Sequence, residues 1–267
     1  MRRGGSNLAK PKVGIALGSG GARGMAHIGV LKVLQQEGIQ VDMVAGSSIG
    51  SLIGVLYANG LDLDMVGLLA THLRRSKWLD FQYPRRGFIA GNKVKALIRL
   101  LTHGKKLEEL DIPTAVVATD LVRGEQVVFR KGPVDTTVRA SISIPGIFEP
   151  VEWQGRTLVD GGLIDRVPIQ VLQEMGADFI IAVDVVPQRS QVRLNHIFDV
   201  IAQSLSVMER EILKEKLLTA DVLIRPNLAD VSPSAFTQVE TCISRGEEAT
   251  RLQLSRMKEM LGSRGGV

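Results

Sequence analysis

The chain has 267 residues, enough for one α/β domain or two small ones, and its 45% apolar and 23% charged content suits a globular protein with a sizeable core. No uninterrupted apolar run approaches the ~20 residues of a membrane span, and the basic, polar start MRRGGSNLAKPK lacks the apolar stretch of a secretory signal. A single cysteine, Cys242, excludes an internal disulfide and a multi-cysteine metal site, and these features together suit a cytoplasmic protein; the net charge is +5.

Residues 1–11 read as a flexible basic tail. Val13 to Leu17 (VGIAL) is a short apolar run expected to form a buried strand. It breaks into a glycine-rich loop, Gly18 to Gly24. A helix follows with Ala26, Val30, Leu31 and Leu34 on one face, ending near Gly38. Ile39 to Gly46 returns as a second strand, and Leu52, Ile53, Val55 and Leu56 lead out as a second helix. This βαβα start predicts a parallel, doubly wound sheet. Residues 61–110 read as helical or irregular. TAVVATDL and EQVVFR form a strand pair around an Arg123-Gly124 turn. Thr136 to Ser143 is expected as a short helix and Ile144 to Pro150 as a Pro/Gly-punctuated loop. VEWQGRTLVDGG reads as a hairpin running into Asp160-Gly161-Gly162. A helix ending at Gly176, the core strand FIIAVDV, a long amphipathic helix from Ile197 to Leu218, the strand DVLIRP and a final helix from Phe236 to Leu261 complete the chain. No repeat or linker divides it, so residues 12–267 are expected to form one domain.

The positive charge is uneven. Residues 74–106 hold ten Lys or Arg against one acid, Asp80, together with Trp78, Phe81, Tyr83 and Phe88. Basic residues among aromatics suit single-stranded nucleic acid, an anionic membrane surface or a plain solvated excursion.

Three stretches carry candidate chemistry. Gly46-Ser47-Ser48-Ile49-Gly50 is a G-x-S-x-G between an apolar strand and a helix, the context a nucleophile elbow requires. Glycines two before and two after the serine let strand and helix pass without a Cβ clash. The alternative is an ordinary strand–helix turn. The upstream loop does not fit a dinucleotide fingerprint, whose glycines stand at relative positions 0, 2 and 5. Starting at Gly18 puts Arg23 in the third place, and starting one later puts Ser19 in the first. Asp42 has the right distance for a ribose-binding acid, but the glycines fail. Consecutive Gly20 and Gly21 before a helix instead suit an oxyanion hole, or simply a tight βα turn.

A Ser-His-Asp arrangement needs a histidine on a loop after a core strand. His72, His103 and His196 fall in helical or charged surroundings, and His27 precedes the serine. No His-x-x-x-His or carboxylate cluster suggests a metal site. Asp160 follows the strand-like Leu158-Val159 and precedes two glycines, so it is either a carboxylate able to take the serine proton directly or an Asp opening a glycine turn.

Taken in order, Gly20-Gly21-Ala22-Arg23-Gly24, Gly46-Ser47-Ser48-Ile49-Gly50 and Asp160-Gly161-Gly162 resemble the patatin-like phospholipases. Ala140-Ser141-Ile142-Ser143-Ile144-Pro145-Gly146-Ile147-Phe148, Pro168 and Met175-Gly176-Ala177-Asp178 extend the resemblance over residues 12–186, and ADVLIRP with the helix after it is similar to the compact bacterial members. Ser19 stands where the family usually has a further glycine. The resemblance implies a three-layer α/β/α fold with a mostly parallel central sheet. It implies a Ser–Asp dyad with Ser48 as nucleophile and Asp160 as general base. Gly20, Gly21 and Ala22 would supply oxyanion N–H groups, Arg23 would support their loop, and Gly46 and Gly50 would frame the elbow. The implied activity is hydrolysis of phospholipid or lysophospholipid esters through an acyl-enzyme, with no metal or organic cofactor. The other reading on the same fold is a non-catalytic adaptor. Under the resemblance, residues 74–106 become a candidate lid or contact with an anionic membrane, and no nucleic-acid partner is expected.

Overall fold

The alternation of apolar residues along each strand decides the two faces of the central sheet. A computed structural model of the chain describes residues 10–73, 78–83, 85–189, 197–213 and 216–265. Strand β1 (Val13–Leu17) turns Val13, Ile15 and Leu17 into one apolar cluster and Ala16 into another, and β9 (Phe179–Val183) divides Phe179, Ile181 and Val183 from Ile180 and Ala182 in the same way. Helices cover both faces. On the first lie α1 (Ala26–Gln36) and α2 (Ile49–Ala58), with α8 (Val239–Arg251) packed outside α1. On the second lies the short α6 (Ile169–Glu174), in a cluster that mixes Ala16, Ala45, Ala115 and Ala182 with Met43, Val117 and Ile180. Ile28, Leu31 and Leu34 of α1 are fully buried, and each such side chain contributes about 1.5–3 kcal/mol.

Eight strands form the sheet, in the order β10-β9-β1-β2-β4-β8-β7, with β5 paired to β4 outside that path. Here β2 is Met43–Ser47, β4 Thr114–Asp120, β5 Glu125–Phe129, β7 Val151–Trp153, β8 Arg156–Asp160 and β10 Val222–Ile224. The strands from β10 to β4 run parallel, whereas β5, β8 and β7 are antiparallel to their neighbours. The sheet is therefore mostly parallel, three-layered and extended by an antiparallel corner.

The remaining elements are α3 (Leu63–His72), β3 (Gly87–Ile89), α4 (Asn92–Leu101), α5 (Val134–Ser141), β6 (Gly146–Phe148), α7 (Ile197–Leu213) and α9 (Leu254–Gly265). Several differ from the sequence expectation. The second strand begins only at Met43, and the helix expected from Thr136 begins at Val134, directly after Pro133. The single last helix is two, α8 and α9, separated at Leu252 and Gln253. β3 and β6 pair in a small parallel sheet, although both lie in stretches without strand alternation. Their pairing is held from outside, because the buried Arg139 guanidinium donates to the carbonyls of Ala90 and Glu149 at 2.8 Å each. The α7 helix ends at Leu213, and Lys216–Thr219 is a separate 3-10 turn. Among the described residues no helix is long and apolar enough to cross a membrane.

Candidate active site

One edge of β4 brings the two chemical candidates together. β2 pairs with Thr114 to Val117 in parallel, and β8 pairs with Ala118 to Asp120 in antiparallel. β5 occupies the opposite edge over Val116 to Asp120, so β2 and β8 share an edge and arrive on it from opposite directions. Their C-terminal ends meet where Val117 gives way to Ala118. Ser48 follows the end of β2 and Asp160 is the end of β8. The Ser48 Oγ hydroxyl donates to Asp160 Oδ2 at 2.5 Å, across 112 residues of sequence.

The elbow has the backbone its motif requires. Ser48 has φ 52° and ψ −126°, outside the ordinary regions for a side-chain-bearing residue. Such a conformation costs on the order of 1–3 kcal/mol and persists only where its surroundings impose it. Here the Ser48 N–H donates to Ser141 Oγ at 2.9 Å, Ser141 Oγ donates to the Val117 carbonyl at 2.6 Å, and Ser51 Oγ donates to the Ser48 carbonyl at 2.6 Å. Gly46 is obligatory for a steric reason, since a Cβ there would lie 2.5 Å from the Cα of Ser51. Gly50 is equally confined, against the end of β1.

Asp160 is buried and fully engaged. Its Oδ1 accepts the Gly162 N–H at 2.8 Å, its own N–H donates to the Ser143 carbonyl at 2.9 Å, and Thr119 Oγ1 donates to its carbonyl at 2.9 Å. Burial raises its carboxyl to about 6, against the lowering effect of the hydrogen bonds from Ser48 and Gly162. A carboxylate of that basicity is matched to proton transfer near neutral pH.

The glycine-rich loop is tied down almost everywhere except at two N–H groups. Gly18 N–H donates to the Val183 carbonyl, Ser19 N–H to the Arg166 carbonyl, and His27 Nε2 to the Gly18 carbonyl at 2.8 Å. Arg23 is buried and its Nε donates to the Val231 carbonyl at 2.7 Å, which links the loop to the segment after β10. Gly21 takes φ +58°, and a Cβ there would lie 2.4 Å from the Pro233 carbonyl oxygen. The Ala22 N–H donates to that same carbonyl at 2.8 Å. This corrects the sequence expectation for Ala22, whose N–H is spent on Pro233 and does not point at a reacting atom. The N–H groups of Gly20 and Gly21 meet no acceptor among the described residues and stand at the start of the 3-10 turn that leads into α1. Both border the same cavity as Ser48 and Asp160.

The described histidines stand apart from the pair. His27 is wholly buried beneath the loop, and burial lowers it to about 4, so it is neutral. His72 lies on α3 with Nδ1 3.0 Å from the Leu68 carbonyl, and His103 occupies a left-handed turn position. His196 lies outside the described residues. Cys242 packs in the core between α8 and its neighbours, and burial pushes its thiol up to about 11. Among the described residues no three His, Cys, Asp or Glu side chains gather in a form that could hold a metal ion.

Two cavities meet at Ser48. One, of about 220 Å³, lies over Ser48 and Asp160 and carries a polar edge of Ser19, Ser206 and Ser234. The other, of about 630 Å³, runs between α2, α3 and α4 and is walled by side chains such as Ile53, Leu56, Val66, Leu97 and Ile98. Its volume falls within the roughly 300–1,000 Å³ typical of small-molecule sites. Trp78 and Phe236 border both cavities and pack edge to face, with ring centroids 5.2 Å apart.

The sequence analysis singled out Ser48, Asp160, Gly20, Gly21 and Arg23; the fold sets the first four round one cavity and ties Arg23 to the Val231 carbonyl. Sequence reasoning did not find Ser141, Pro233 or Arg139. Ser141 is one of two serines in an ASIS run, with nothing local to tell the brace from its neighbour. Pro233 acts through a backbone carbonyl, which leaves no trace in residue type.

The patatin-like phospholipase family model matches residues 15–172. An uncharacterised NTE family protein of Mycobacterium tuberculosis is 40% identical over 178 residues, 66% of this chain and 49% of that protein. Lysophospholipase NTE1 of Debaryomyces hansenii is 33% identical over 186 residues, 67% of this chain and 12% of that protein. The chain thus spans about half the length, or much less, of these curated relatives. Among solved structures, VipD from Legionella pneumophila superposes with a TM-score of 0.67 at 14% identity, covering 92% of this chain and 67% of that one. The type III effector ExoU gives 0.52 at 13% identity, covering 94% and 54%. At these identities the two structures speak to the fold alone.

Proposed function

The chain belongs to the patatin-like phospholipase family, and from that premise we propose that it hydrolyses lipid esters with Ser48 as nucleophile and Asp160 as general base. The single observation that carries the reading is the direct hydrogen bond from Ser48 Oγ to the buried Asp160 carboxylate. In the proposed reaction Ser48 attacks the ester carbonyl while Asp160 takes its proton. The N–H groups of Gly20 and Gly21 receive the developing oxyanion, a contribution of a few kcal/mol for each donor aimed at that charge. Asp160 then returns the proton to the departing alcohol. Water, activated by the same carboxylate, cleaves the acyl-enzyme and releases the fatty acid.

The apolar cavity between α2, α3 and α4 would take the acyl chain, and the smaller cavity with its serine edge would take the alcohol part. Phospholipid or lysophospholipid is the proposed substrate class, in keeping with the lysophospholipase named among the relatives. A cytoplasmic location with peripheral membrane contact belongs to the same proposal. For residues 74–106, Arg74, Arg75 and Lys77 lie outside the described residues, and Arg86 is drawn into ion pairs with Glu149 at 3.1 Å and Glu152 at 2.6 Å.

Active-site titration with a fluorophosphonate tests the reading. Stoichiometric labelling that disappears in Ser48→Ala is the expected result. An unlabelled wild-type protein would favour a non-catalytic adaptor instead.

A further inference from the structure

The helix α7 presents apolar side chains to solvent beside the mouth of the active-site cavity. Ile197, Val200, Val207 and Met208 are 61%, 48%, 51% and 65% exposed. With Ser204 they fall within roughly 100° of arc on a helix of 3.6 residues per turn. Over residues 197–208 the sequence places one charged residue, Asp199, and that residue is buried. An ordinary surface helix turns charged side chains outward. This stretch turns none outward.

The rotation of the helix is set by its inner face. Ser232 Oγ and Ser234 Oγ both donate to Asp199 Oδ1, at 2.9 and 2.5 Å. Leu205 and Ser206 border the cavity above Ser48 and Asp160, and Ile201 packs against the cluster that contains Phe148. Turning the apolar stripe inward would expel a buried carboxylate from two hydroxyl donors. The stripe is therefore held outward. Phe81, which is 68% exposed, borders the same cavity as Leu205 and Ser206. The cavity thus opens between two apolar rims.

We infer that the outer face of α7, together with Phe81, docks on a lipid–water interface. The inference rests on the lipid-ester reading of Ser48, and the occupant follows from where the stripe lies. A protein partner seated there would stand across the cavity that leads to Ser48, whereas a lipid surface would deliver substrate into it. An amphipathic helix lying in the interface buries such a face and leaves its polar side on the protein. The binding is apolar, so it tolerates salt, unlike attraction through the basic residues of 74–106.

The test compares wild type with an Ile197→Ser/Val200→Ser/Val207→Ser/Met208→Ser variant in two assays. Flotation with phosphatidylcholine vesicles at 0.1 and 0.5 M salt reads docking, and hydrolysis of soluble p-nitrophenyl butyrate reads the catalytic site. Wild type is expected to float equally at both salt concentrations. The variant is expected to partition about tenfold more weakly or worse, with butyrate turnover within about twofold of wild type. Equal flotation of the two proteins overturns the inference, as does wild-type binding that vanishes at 0.5 M salt. A wild-type dimer that the substitutions split, without vesicle binding by either protein, assigns the face to a second copy and also overturns it. Absence of butyrate turnover in wild type would sink the hydrolase reading, while flotation still decides the docking.

Discussion

A Cβ built on Gly50 would lie 2.1 Å from the carbonyl oxygen of Leu17. The first turn of α2 thus rides directly on the end of β1, and the serine between them is presented at the top of the sheet. Gly50→Ala forces that backbone contact apart, and no flexible side chain can absorb the strain. The expected cost is about 2–3 kcal/mol, read by urea denaturation. Ester turnover should fall further than stability, because Ser48 moves with the helix. A variant with wild-type stability and activity would remove the steric account of the motif.

The backbone of Ser48 offers a cleaner test of stored strain. Ser48→Ala and Ser48→Gly both delete the hydroxyl and both leave Asp160 Oδ2 without its donor. They differ in tolerance of φ 52°, ψ −126°, which is the mirror image of ordinary extended backbone and open to glycine. Ser48→Gly is expected to be more stable than Ser48→Ala by about 1 kcal/mol or more. Both should be inactive. Equal melting temperatures would show that the elbow holds no strain.

Asp160 couples activity and stability to pH in opposite directions. Its folded carboxyl sits at about 6, above the ordinary aspartate value of 3.8, because burial disfavours the charge. The folded state therefore binds this proton more tightly than the unfolded chain, and its contribution to stability falls as pH rises from about 4 to about 6. Under the proposed mechanism activity needs the ionised form, so kcat/KM should rise through an apparent pKa near 6. Asp160→Asn should lose turnover yet gain on the order of 1–3 kcal/mol of stability at pH 8, since no charge is buried. Guanidinium melts of both proteins at pH 5 and 8 check the sign. An Asn variant less stable than wild type at pH 8 would contradict it.

No histidine should be required. His72→Ala and His103→Ala are expected to keep ester turnover within about threefold. His27→Ala removes a buried side chain and its bond to the Gly18 carbonyl, at an expected cost of about 2 kcal/mol, but retains turnover while folded. A folded histidine variant without activity would point to a triad in place of the dyad.

Leu97 borders the larger cavity. Leu97→Trp fills part of it with an indole. Under the proposed function KM for a long-chain monoacyl ester should rise about tenfold or more, while butyrate turnover holds. A uniform loss on both substrates would place the acyl chain elsewhere.

Local pattern carried much of this protein. VGIAL and FIIAVDV declared buried strands because apolar side chains fill both faces of a covered parallel sheet. The glycines of Gly46-Ser47-Ser48-Ile49-Gly50 marked a tight strand–helix crossing, because only a missing Cβ lets the two pass so closely. The order of three short motifs was enough to suggest the family. What a linear reading could not contain is set by pairing and by backbone. That β2 and β8 share one edge of β4 is a long-range choice of register, and it alone sets Ser48 against Asp160. β3 and β6 became strands through each other and Arg139, without any alternation of their own. The Ala22 N–H was lost to the carbonyl of Pro233, 211 residues away by number, since a carbonyl is present at every residue and only the fold decides which one arrives.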